Sequence, residues 1–71
     1  MILNDTHIAE LRIVRSYEFM GGAAPVDYRQ WRRFEAMRKA RLLKYAGRKS
    51  VRWDRTFYHI TPRGDAALPR G

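Results

Sequence analysis

The sequence predicts an α+β domain in which two main helices pack on a β-hairpin and a short C-terminal helical turn closes the chain. Three observations predict it. Apolar residues recur at helical spacing in two stretches before residue 42. The composition then changes to β-branched and aromatic residues over 51–60, which fit a pleated, half-buried surface. Gly or Pro punctuates each change, at Gly21-Gly22, Gly47 and Pro62. Seventy-one residues make a single domain, 1–71, and a chain this short buries only about 60% of the surface its unfolded form exposes.

The first helix opens at Asn4-Asp5-Thr6, three residue types that cap helix N-termini. Ile8, Leu11, Val14 and Tyr17 follow at helical spacing, with Ile13 and Met20 widening the stripe. Gly21-Gly22 stops it, because Gly accepts the left-handed C-terminal conformation without penalty. A helix over about 5–20, mainly scaffold, is expected. Pro25 fits the first turn of the next helix and Asp27 the positive end of its dipole. No Gly, Pro, Ser or Thr interrupts the chain from there to Arg41. Trp31, Phe34 and Met37 mark the apolar, core-facing side, and Arg29, Arg32, Arg33 and Lys39 fall on roughly the opposite face. One helix, or two short ones at 25–31 and 33–41, satisfies the pattern.

Leu42-Leu43-Lys44-Tyr45 reads as a strand and Gly47-Arg48-Lys49-Ser50 as a turn. Val51 and Trp53 share one parity while Tyr58 and Ile60 share the other, so a turn or bulge near Asp54-Arg55 is expected. The strands are placed at 42–45 and about 56–60, with 51–53 a candidate for a further short one. Thr61-Pro62 is an N-cap followed by the residue best tolerated at the first helical position. A single turn through Leu68 follows, ended by Pro69.

Charge is the informative part of the composition. Fifteen Lys and Arg against seven Asp and Glu leave a net charge of +8. Residues 29–55 hold eleven basic and two acidic side chains, +9, while the remainder holds four basic and five acidic, −1. Charge confined to one segment is the electrostatic footprint of a polyanion-binding face.

The C-terminal half resembles the end of a winged helix-turn-helix domain of the broad MarR-like and PadR-like kind. That family's pattern runs Leu-x-x-x-Gly-Leu-(Leu/Ile), a basic hairpin, then Tyr-x-Leu-Thr-x-x-Gly-x-x-x-Leu. Met37-Arg38-Lys39-Ala40-Arg41-Leu42-Leu43 occupies the first part, with Arg41 where the family has Gly. Tyr58-His59-Ile60-Thr61-Pro62-Arg63-Gly64-Asp65-Ala66-Ala67-Leu68 matches the second. The resemblance, over about 36–68, implies a small winged-helix-like domain whose wing carries Arg48, Lys49, Arg52 and Arg55. It implies that Tyr58 and Ile60 face the core, that Thr61 caps the closing helix and that Leu68 docks it. It also implies that the helix before the hairpin enters a DNA major groove while the wing reaches backbone or minor groove. A degenerate phage-type version would have this size.

Other chemistries lack their residues. There is no Cys, so no disulfide or thiolate metal site is available. His7 and His59 form no spaced pair and read as a surface residue and a strand filler. Glu10, Glu18 and Glu35 are isolated in sequence, Ser16 and Ser50 have no suitably spaced His, and Gly21-Gly22 lacks the Lys-Ser or Lys-Thr of a phosphate loop. Neither an enzyme nor a cofactor or metal is expected. No apolar run approaches the roughly 20 residues of a membrane span, and no signal peptide opens the chain, so the expected place is the cytoplasm of a bacterial or phage-infected cell.

Two functions compete. The first is a small transcription regulator that binds double-stranded DNA through Arg29, Arg32, Arg33 and Lys39 on the helix and Arg48, Lys49, Arg52 and Arg55 on the hairpin. The second is a protein-binding regulator, such as a phage-encoded factor acting on host RNA polymerase or another acidic protein, anchored at Trp53 with Arg52 and Arg55.

Overall fold

A computed structural model describes residues 1–69. In chain order it contains helix α1 (Asp5–Ser16), a 3-10 turn (Glu18–Met20), helix α2 (Tyr28–Lys39), strand β1 (Leu43–Tyr45), a second 3-10 turn (Trp53–Arg55), strand β2 (Tyr58–Ile60) and helix α3 (Pro62–Ala66). The α+β architecture predicted from sequence is the one observed. Strands β1 and β2 pair antiparallel, with Leu43 opposite Ile60 and Tyr45 opposite Tyr58. Among the described residues, no helix is long and apolar enough to cross a membrane.

Asn4 caps α1 as expected. Its side chain accepts the His7 N–H at 2.9 Å, and His7 Nδ1 accepts the Asn4 N–H at 3.2 Å, a reciprocal capping box. His7 is therefore a helix-capping partner rather than a bystander. The α-helix ends at Ser16, four residues sooner than predicted. The Ser16 hydroxyl donates to the Ile13 carbonyl at 2.7 Å, and the Tyr17 N–H is shared between the Ile13 and Val14 carbonyls, so the last turn tightens into 3-10 geometry. Gly21 then turns left-handed with φ 88°. Leu11 and Val14 are buried, but Ile13 and Met20 are exposed, so the apolar stripe is narrower than the spacing predicts.

Helix α2 is one uninterrupted helix. Pro25 lies ahead of it rather than in its first turn. Asp27 is the N-cap, accepting the Gln30 N–H at 2.7 Å, while Gln30 Oε1 accepts the Val26 N–H at 2.8 Å. A second helix and turn between α1 and the hairpin, which a helix-turn-helix contains, are absent from the described residues. At its C-terminus the Leu42 N–H bonds the Met37 carbonyl and the Arg41 N–H bonds the Arg38 carbonyl, both at 2.9 Å. This is a Schellman turn, and it puts Arg41 in the left-handed region at φ 66°. The position where the resembled family has Gly is thus one where the backbone calls for Gly.

Residues 51–53 form no strand, and β2 starts at Tyr58 rather than 56. Local side-chain bonds hold the intervening backbone instead. Arg52 pairs with Asp54, and the buried Thr56 donates its hydroxyl to the Arg52 carbonyl at 3.1 Å. Val51 is fully exposed.

Thr61 caps α3, as the resemblance implies: its hydroxyl accepts the Gly64 N–H at 3.0 Å and donates to the Arg41 carbonyl at 2.6 Å. A Cβ on Gly64 would collide with the Leu42 carbonyl oxygen, so only Gly lets α3 lie this close to β1. Tyr58 and Leu68 enter the core with Leu11, Val14, Phe34, Met37, Leu42 and Leu43, while Ile60 is half-buried against it. The Phe34 and Tyr58 rings meet edge to face at 5.2 Å.

Candidate nucleic-acid interface

Helical geometry sorts the side chains of α2 into three faces. Phe34 and Met37 fill the core. Tyr28, Trp31, Glu35 and Arg38 turn toward the hairpin. Arg29, Arg32 and Lys39 remain on an exposed stripe with Ala36 between them, and none of the three makes a salt bridge among the described residues.

Arg33 belongs elsewhere. Its Nε and Nη2 donate to the two carboxylate oxygens of Glu10 at 2.7 and 2.9 Å, a bidentate pair joining α2 to α1. Glu10 is only 4% exposed, so Arg33 neutralises a buried charge. The hydrogen bonds from Arg33 to Glu10 raise the guanidinium's proton affinity above its ordinary value. Sequence spacing puts Arg33 with the contact residues; the structure puts it in the scaffold.

The three glutamates that look isolated in sequence are all anchors. Glu35 accepts from Arg38 Nε and Nη2, both at 3.1 Å, from Tyr45 at 3.2 Å and from Tyr58 at 2.6 Å. Burial alone would raise its carboxyl, yet the bonds from Arg38 and Tyr58 outweigh that and hold it below the ordinary carboxylate range. Burial pushes the Tyr58 phenol far up, and the adjacent Glu35 adds to the effect. Glu18 accepts the Ile60 N–H at 2.8 Å and lies 2.9 Å from His59 Nδ1, so His59 ties β2 to the first 3-10 turn.

The loop between the strands, 46–57, occupies the position where the resemblance implies a wing. Its base closes with the Ala46 N–H donating to the Phe57 carbonyl at 2.9 Å, and Thr56 pins it from within. Trp53 is half-buried, with its ring edge-on to Tyr28 at 6.2 Å, while Tyr28 tilts against Trp31 at 5.3 Å. This aromatic cluster docks the loop on the N-terminal half of α2, beside the Arg29–Arg32 stripe. Arg48, Lys49 and Arg55 are exposed and in no salt bridge among the described residues. Arg52 is held by Asp54 at 3.0 Å, in an exposed pair that opens readily.

Of the eight cations singled out from sequence, six are therefore free at the surface, one is structural and one is loosely paired. Tyr28, exposed beside Arg29 and Arg32, is the neighbour that sequence reasoning missed; its three-residue spacing from Trp31 is the signal that marks it. No group of three His, Asp or Glu among the described residues could hold a metal ion. Comparisons with protein-family models, curated proteins and solved structures find no significant match to this chain.

Proposed function

We propose that this domain is a small DNA-binding regulator of transcription that lays the exposed stripe of α2 along a duplex and grips the backbone with loop 46–57. The observation that supports the reading best is how the charges are sorted. Glu10, Glu35, Asp54 and Asp65 are engaged in ion pairs, Glu18 is taken up by the Ile60 N–H and the His59 ring, and Asp27 caps α2. Of the ten Lys and Arg side chains in no salt bridge among the described residues, six lie on the helix stripe and the loop. Residues 29 to 39 span about 15 Å of helix axis, and a B-DNA major groove about 12 Å wide admits a helix. These contacts are mostly to phosphates, so they position the protein more than they read sequence.

The test is a fluorescence-anisotropy titration against duplex DNA at rising salt. Six neutralised phosphates give a slope of log affinity against log salt near −5. No binding at about 50 mM salt removes this reading and favours the protein-partner one. That alternative loses part of its anchor here, because Trp53 is half-buried against Tyr28.

A further inference from the structure

Residues 16–28 hold no Lys or Arg, the longest such stretch in a chain that carries fifteen. They hold two acids, Glu18 and Asp27. The fold wraps this stretch around an apolar groove of about 450 Å³, lined by Ile13, Tyr17, Met20, Val26, Phe34 and Phe57 among others, and by no charged side chain. Phe19, the residue before the lining Met20, has 83% of its surface in water, and the lining residue Val26 is 81% exposed. Together Ile13, Tyr17, Phe19, Met20, Val26 and Phe57 expose on the order of 800 Å², which is what one partner of a standard protein interface buries. A typical monomer's largest apolar patch is about 300–600 Å².

We propose that this face joins two copies of the chain in a two-fold dimer, the apolar groove and the exposed apolar residues around it packing against the same face of the other copy. A two-fold interface pairs a patch with itself, so one apolar face on each copy is enough to close it. Charge selects the same occupant. Two copies of a chain with net charge +8 repel one another across most of their surfaces, and the basic-free side is where they can meet. None of the six cations of the α2 stripe and the loop lines the groove, so the dimer leaves them available and is independent of the nucleic-acid reading.

Sedimentation velocity tests it, in about 1 M salt, where the Debye length is about 3 Å and like-charge repulsion is screened. From about 1 μM to about 1 mM protein, the mass should double and then plateau. Phe19→Glu and Val26→Glu should keep the folded circular-dichroism spectrum and stay at the monomer mass. Val51→Glu, on an equally exposed apolar residue outside the patch, should dimerise like the parent. A parent that stays monomeric throughout overturns the proposal and leaves the face to a foreign apolar segment. A dimer that survives both patch substitutions overturns it, as does a mass that climbs past twice the monomer without a plateau.

Discussion

The Tyr58 hydroxyl donates a 2.6 Å hydrogen bond to Glu35 Oε2, joining the first residue of β2 to the middle of α2. Tyr58 is fully buried, and Arg38 and Tyr45 complete the carboxylate's partners, so α2 cannot rotate or slide against the hairpin without breaking several bonds at once. Tyr58→Phe removes one donor to a charged acceptor and should cost about 1.5–3 kcal/mol of stability, read by urea unfolding.

The same contact sets a pH window. Glu35 binds its proton less readily in the folded chain than in the unfolded one, whose reference value is 4.5. Its stabilising contribution is complete above that value and is lost as acid protonates the folded carboxyl. Tyr58 is shifted the other way, above 10.0, so its contribution is complete below that value and is lost in stronger base. Melting temperatures of the parent and Glu35→Gln should differ most near neutrality and converge as the pH falls below 4.5; an unchanged gap would remove Glu35 as the cause.

Arg33 and Arg32 are neighbours in sequence with different work. Arg33→Met strands the buried Glu10 carboxylate and should destabilise by about 1–3 kcal/mol, a range that allows for the third of the Arg33 side chain that stays in water. Arg32→Met should lie within about 0.5 kcal/mol of the parent. Equal losses in the two variants would contradict the assignment of Arg33 to the scaffold.

Neutralising Arg29, Arg32 and Lys39 together should weaken DNA binding and lower the salt slope by about three units, as should neutralising Arg48, Lys49 and Arg55. Only the α2 variant should also blunt discrimination between duplex sequences, since that helix is the element able to reach base edges. Parallel anisotropy titrations on specific and random duplexes, with circular dichroism as a folding control, measure both effects.

Arg41 and Gly64 make an opposed pair of predictions. Arg41→Gly relieves a side chain held at φ 66° and should stabilise by about 0.5–1 kcal/mol. Gly64→Ala drives a methyl group into the Leu42 carbonyl and should lower the thermal midpoint sharply. A neutral Gly64→Ala would mean that α3 lifts off without cost.

Local chemistry explains which parts of the fold were legible in the sequence. Asn4, Thr61 and Pro62 act on backbone groups within a few residues, so the starts of α1 and α3 could be read directly. The hairpin was legible from the parity of Tyr58 and Ile60, and the turn that the parity slip places near Asp54-Arg55 is the 3-10 turn Trp53–Arg55, but the rest of the loop was not legible, because Thr56 and Asp54 hold it by bonds that no alternation encodes. The Arg33–Glu10 pair spans 23 residues, and the Glu18–His59 contact spans 41. Spacing along one helix cannot tell a solvated arginine from one facing a partner helix. That is why six of the eight proposed contact cations lie free while Arg33 does not.

Strand β2 is shielded on both sides. One side pairs with β1. On the other, Ala23 exchanges two backbone bonds with Tyr58, at 3.0 and 2.8 Å, and Glu18 takes the Ile60 N–H. A sheet this small would otherwise offer a bare edge for another chain to extend, the usual start of runaway stacking. With that edge occupied, β2 has no row of open backbone groups to template aggregation, and any contact between copies on this side has to be made by side chains, which can saturate at a defined number of subunits.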